Sequence, residues 1–179
     1  MKKMKFVMKS ALVSMFMLAG SASMVQAAGA GQGTVTFEGS IIEAACSIAP
    51  ESVDQTVGLG QVAKSQLEAG GSSRPEPFEI KLVGCDTATL KGVSTTFTGG
   101  ISKDVPGALG IVGTASGAGI VMRDSSGADI KLGTPTASQP IQDGNNTLQF
   151  GAFLKGATAA DAVIPGEFTA ITNFSLAYQ

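Results

Sequence analysis

Histidine and tryptophan are absent from the 179 residues, tyrosine occurs once, at Tyr178, and cysteine twice, at Cys46 and Cys85. Without an imidazole, no serine or cysteine nucleophile with a histidine base can be assembled. A zinc site would need more ligands than two thiols supply. The lack of tryptophan and the single tyrosine leave few of the aromatic platforms that a sugar-binding sandwich would use. Long apolar runs are also missing: the main one, residues 11–18, is too short to span roughly 30 Å of hydrocarbon.

Other catalytic patterns fail on inspection. Lys64 precedes Ser65, but sequence neighbours turn their side chains apart on a helix or a strand, and no oxyanion-hole motif accompanies them. Gly107, Gly110 and Gly113 do not reproduce a dinucleotide fingerprint, and residues 58–65 lack the glycine-lysine pair of a phosphate loop. Asp143-Gly144-Asn145-Asn146 lacks the spaced carboxylates of a calcium loop and reads as a turn. The expectation is a protein that is not an enzyme and takes no cofactor or metal.

What is present begins with an export signal. Lys2, Lys3, Lys5 and Lys9 precede the apolar stretch, small residues follow it, and Val25 and Ala27 occupy the minus-three and minus-one positions of a cleavage site. Residues 1–27 are therefore expected to be removed, with the cut before Ala28. Four of the twelve basic residues leave with them, so the mature chain sets 8 basic against 14 acidic residues, a net charge of about −6. That balance argues against a nucleic-acid partner. In an exported chain a lone cysteine pair reads as one structural disulfide, Cys46 to Cys85.

From Gly31 onward the chain consists of short β-like runs broken by glycine, serine, aspartate and proline, with no long 3.6-residue period. The pattern predicts an all-β sandwich of one domain. Expected strands include residues 34–37, 40–42, 46–48, 55–59, 93–98, 119–122 and 147–154, with Leu148, Phe150 and Ala152 on one face of the last. In a further strand Phe78, Ile80, Leu82 and Gly84 share a phase, and Cys85 ends it. Residues 61–69 carry a turn or two of helix, Asp124-Ser125-Ser126-Gly127 is a hairpin turn, and residues 135–144 form a connecting loop. The two most regular amphipathic strands stand near the ends. In one, Gly31, Gly33, Val35, Phe37 and Gly39 alternate with polar residues; in the other, GEFTAITNFSLAYQ at residues 166–179, Phe168, Ala170, Phe174, Leu176 and Tyr178 share a face behind Gly166.

The signal peptide, GTVTFEGSIIEAACSI at residues 33–48, FEIKLVGC at residues 78–85, DGNNTLQFGAFL at residues 143–154 and the tyrosine-penultimate ending together resemble the subunits of chaperone-usher fimbriae. The likeness covers the whole mature chain and is nearest to major rod subunits of the P-pilus and mannose-resistant Proteus-like type. It implies an incomplete immunoglobulin-like sandwich, residues 40–179, that lacks its last strand and is completed by a strand from another chain. It also implies that residues 28–39 are the donor, with Gly31, Gly33, Val35, Phe37 and Gly39 facing a neighbour's groove. Gly166, fourteenth from the end, and Tyr178, second from the end, match the family's chaperone-recognition strand. The implied partners are other copies of the chain and related subunits in a homopolymer, a periplasmic chaperone and an outer-membrane usher. The implied destination is an extracellular fimbria on the cell surface, reached through the periplasm. A minor or adaptor subunit, and an independent carbohydrate-binding sandwich, stay open as alternatives.

Overall fold

The computed structural model describes residues 33–39, 41, 44–160 and 162–179. The expected signal peptide, Ala28 and Gly31 of the donor segment, and Ser40 and Ile42 of the second short strand lie outside the described residues. The chain divides into two units, Met1–Ser40 and Ile41–Gln179. In the first, residues 33–39 belong to no strand or helix, and Val35 and Phe37 are exposed.

The second unit is built from short antiparallel strands. The larger sheet runs β1 (Ser47–Ile48), β2 (Glu76–Cys85), β8 (Gly144–Gly156), β6 (Ala118–Asp124) and β4 (Leu109–Gly110) in that spatial order. A second sheet runs β10 (Thr172–Tyr178), β3 (Gly92–Gly99) and β7 (Gln139–Pro140), and β5 (Val112–Gly113) pairs with β9 (Phe168–Thr169) as a separate ribbon. The period-2 alternation explains the main strands: Ile80 and Leu82 on β2, Val93, Thr95 and Phe97 on β3, and Leu148, Phe150, Ala152 and Leu154 on β8 are all buried. The two sheets meet through aromatic rings, with Phe97 edge-on to Phe150 at 5.2 Å and to Phe78 at 6.1 Å, and Phe174 6.4 Å from Phe97. Such geometries suit the ring quadrupoles and add to the area that they bury.

Cys46 and Cys85 are joined in a disulfide that closes a 39-residue separation. It fastens β1 to the end of β2, where Ser47 and Ile48 pair with Val83 and Leu82. The expected phase of β2 breaks just before that point. Gly84 takes φ +62° in a register shift between Leu82 and Cys85, so Gly84 is exposed while Cys85 turns inward. A bulge of this kind needs a residue at ease with positive φ, and it resets the alternation by one position.

Three more expectations shift. Residues 55–59 form no ladder, and Pro50–Val53 makes a single turn of helix, α1. Lys64–Leu67 and Glu68–Gly70 supply the expected helical turns. The loop at residues 135–144 contains the two-residue β7. The C-terminal strand is two pieces: Ala170 and Ile171 separate β9 from β10, and the partner changes from β5 to β3 across the break. The hairpin turn forms as expected, with Asp124 Oδ1 accepting from the Ser126 amide and hydroxyl and from the Ala128 amide.

Candidate functional site

β10 pairs with β3 along one edge, Thr172 with Gly99 through Tyr178 with Val93, and is the end strand of its sheet. Its other edge has no ladder partner among the described residues. A seven-residue edge with unpaired amides and carbonyls is a template for another strand. The side chains that face the core from this strand are only partly covered: Phe174, Leu176 and Tyr178 are half-buried, and so are Phe168 on β9 and Ala170 in the break. In a closed sandwich such residues would be sealed, as Val93 and Phe97 on the neighbouring strand are.

The uncovered side opens into a cleft of about 1510 Å³. Ile80, Phe97, Ile120, Met122 and Leu154 form its floor; Phe168, Ala170 and Phe174 stand on one lip, and residues 53–62 on the other. In that second lip Val57, Leu59 and Val62 are half-buried, and Leu59 and Val62 pack against the core. The lining is mostly apolar, with polar residues such as Asp54, Gln61 and Glu167 among it, which suits an extended apolar segment better than a polar small molecule. At the far end of β10 the two sheets come together: the Tyr178 hydroxyl donates to the Cys46 carbonyl at 3.4 Å, and burial pushes its phenol above the ordinary value of 10.0. Beyond it the Gln179 amide donates to the Gly92 carbonyl at 2.9 Å, and the Gln179 oxygen accepts from the amides of Lys91 and Gly92.

Of the residues expected to face a neighbour, Gly33, Val35, Phe37 and Gly39 are exposed, Val35 at 74% and Phe37 at 91%. The residues expected on the C-terminal strand do share one face across the break, because Ala170 and Ile171 preserve the alternation while the ladder partner changes. Gly166 also makes a close packing contact. A Cβ there would lie 2.5 Å from the Ala115 nitrogen and from Thr114 Oγ1, so its smallness lets the chain pass against residues 114–115. Next to it the Glu167 carbonyl accepts from the Thr114 and Ala115 amides at 2.9 and 3.1 Å, and the Glu167 amide donates to Thr114 Oγ1 at 3.0 Å. The lip at residues 53–62 escaped the sequence reading as part of the site; its signal was the alternation of Val57 and Leu59, which suggested a paired strand. Among the described residues, no three histidine, cysteine, aspartate or glutamate side chains gather in a way that could hold a metal ion.

Comparison with known proteins places this arrangement. The profile of the family described as fimbrial protein matches residues 35–179. The fimbria A protein of Serratia marcescens is 56% identical over 160 residues, covering 89% of this chain and 92% of that protein. The major MR/P fimbria protein of Proteus mirabilis is 49% identical over 172 residues, covering 96% and 98%. Among solved structures, the P pilus rod subunit PapA superposes with a TM-score of 0.67 at 35% identity, covering 76% of this chain and all of that one. A chaperone-usher pilus solved to explain rod uncoiling gives 0.72 at 37% identity, covering 83% and 96%.

Proposed function

This chain belongs to the fimbrial protein family, structural subunits of surface fimbriae, and from that premise we propose that it is a major, rod-forming subunit that polymerises by donor-strand exchange. Residues 28–39 of one copy lie along the unpaired edge of β10 in the next and close its cleft. The observation that carries the reading is the pairing of two incomplete halves in one chain. One is a β10 edge with half-covered Phe174, Leu176 and Tyr178; the other is a segment outside any ladder that exposes Val35 and Phe37 in alternate register.

The energetics favour this occupant. Burying a phenylalanine and a valine contributes about 1.5–3 kcal/mol each, and the donor backbone satisfies amides and carbonyls that otherwise face water. An antiparallel alignment that sets Phe37 opposite Phe174 also sets Val35 opposite Leu176 and Gly33 opposite Tyr178. The big ring then joins the aromatic cluster of Phe78, Phe97, Phe150 and Phe174. A glycine meets Tyr178 where that ring already reaches across to Cys46. The same exposed edge would aggregate in an unpartnered subunit, which supports a periplasmic chaperone that fills the cleft in transit and an outer-membrane usher that exchanges it.

The test is co-expression with a fimbrial chaperone and usher, followed by electron microscopy. The Phe37→Asp variant and a chain lacking residues 28–39 are expected to give soluble chaperone-bound subunits and no fibres. Normal fibres from either would overturn the donor assignment.

A further inference from the structure

A strand entering the cleft meets two sheet edges, and only one of them is open. On β10 the amides and carbonyls of Phe174, Leu176 and Tyr178 point away from β3, because Gln179, in the other phase, exchanges hydrogen bonds with Gly92. No group among the described residues bonds to the backbone of those three. Phe78 and Ile80 of β2 also line the cleft, and β1 pairs with β2 only at Leu82 and Val83. Residues 77–81 of β2 are therefore a second edge, with β8 on their other side.

That second edge is closed group by group. The Lys81 carbonyl accepts from the Ala49 amide at 2.9 Å, as a continued β1 would arrange. The Ala49 carbonyl is taken instead by the Ser52 amide at 2.8 Å, within the α1 turn, and the Ser52 hydroxyl stands in for it by accepting from the Lys81 amide at 3.0 Å. Ser52 is 3% exposed, so water does not compete for that bond. Two residues back, in the same phase, the Glu79 carbonyl accepts from Gln55 Nε2 at 3.2 Å. Two further back stands Pro77, which has no amide hydrogen to offer. Only the Glu79 amide and the Pro77 carbonyl are left for a newcomer on this stretch, too few for a ladder. Lys81 Nζ, 3.3 Å from Glu79 Oε1 and 4.0 Å from Glu51 Oε1, sets charge along the same border.

We propose that Ser52, Gln55 and Pro77 are specificity-determining residues of subunit joining: they close the β2 edge, so that the strand of a second copy adds only to β10. The proposal rests on the donor-strand reading above and adds which of two edges is refused, and by what groups. Ladder hydrogen bonds run through the backbone and carry no preference of their own, so an apolar strand in a cleft with two open edges would be shared between them. Discrimination then has to come from groups already satisfied, or missing, on the unwanted side.

The test uses the full mature chain carrying Phe37→Asp, expected not to donate, released from its chaperone into an excess of a synthetic peptide of residues 28–39. Amide exchange is read residue by residue by nuclear magnetic resonance. With the β2 edge intact, the peptide is expected to slow exchange at Phe174, Leu176 and Tyr178 by more than about tenfold and to leave Glu79 and Lys81 unchanged. Gln55→Ala with Pro77→Thr should open the second edge, so that the peptide also slows the amides at positions 77 and 79. Adding Ser52→Ala should extend that response to Lys81, whose amide then exchanges at least about tenfold faster without peptide. Gln55 and Pro77 are exposed, so the double variant spares the core and decides the matter even where Ser52→Ala, at a buried position, unfolds the chain. Protection confined to β10 in the double variant would overturn the proposal, as would peptide protection of Glu79 in the chain with Ser52, Gln55 and Pro77 in place. Failure of the donor-strand reading looks different: the peptide then slows exchange at neither edge, and the proposal falls with it.

Discussion

Replacing Gly166 by alanine separates a packing role from a recognition role at a position that the family pattern ties to the chaperone. The added Cβ would sit 2.5 Å from the Ala115 nitrogen and Thr114 Oγ1, about 1 Å closer than ordinary van der Waals contact allows. Residues 114–115 and 166–167 must then part, and three hydrogen bonds between Glu167 and Thr114 or Ala115 weaken together. Each contributes about 0.5–1.5 kcal/mol, and overpacking of this kind costs about 1–3 kcal/mol, so a loss of about 2–4 kcal/mol is expected after partial relaxation. With a urea slope of about 2 kcal/mol/M, the midpoint should fall by about 1–2 M with the slope unchanged. The assay is urea unfolding of the mature subunit with a synthetic peptide of residues 28–39 in its cleft, followed by circular dichroism. A midpoint within about 0.3 M of wild type, together with lost capture by the chaperone, would refute the packing argument and return Gly166 to the recognition surface.

Opening the disulfide with Cys46→Ser and Cys85→Ser should lower stability by about 4 kcal/mol for its 39-residue separation, measured by denaturant unfolding under non-reducing conditions; a change under about 1 kcal/mol would contradict it. Arg123 pairs with Asp129 at 2.6 Å and lies 4.5 Å over the ring of Phe153, yet both charges are largely exposed, so Arg123→Ala should cost no more than about 1 kcal/mol in the same assay. Asp124 is held below the ordinary 3.8 chiefly by the Ser126 hydroxyl, and Asp143 chiefly by the Thr87 hydroxyl. A depressed carboxylate stabilises the fold above its unfolded value and ceases to as pH falls through the folded one. The urea midpoint should therefore drop between about pH 5 and about pH 2, and less steeply in the Asp124→Asn and Asp143→Asn double variant; equal slopes would sink the assignment.

The strands that the sequence displayed most plainly are those whose side chains settle the matter alone. In β2 and β8 large apolar residues alternate with polar or small ones, and burial follows the alternation as far as Leu82 and Ala152, whereas on β3 every residue from Gly92 to Thr95 is buried. Residues 55–59 alternate in the same way but lie on the lip of an open cleft, with no neighbouring backbone to complete a ladder, so the pattern is there and the strand is not. The break at Ala170 and Ile171 was hidden for the opposite reason. The inward phase runs through it unchanged, and periodicity records which face a residue takes, never which strand it pairs with. The close approach at Gly166 depends on residues some fifty positions earlier, a distance that no local pattern reports. Of the cleft, the β10 lip was legible from its apolar face. The pairing of Val112 with Thr169 was not, because residues this far apart in the chain meet only once β5 and β9 form their ribbon.

The chain carries no tryptophan, and its one phenol stands at the end of β10, half-buried, bonded to the carbonyl of a half-cystine. Every photon that the protein emits as tyrosine fluorescence, and almost all of its absorbance near 280 nm, therefore originates at the position where an incoming strand would pass. The molecule is labelled by its own composition: a change in emission on filling the cleft would report occupancy in real time, at one known residue, with no dye attached and no competing chromophore to subtract.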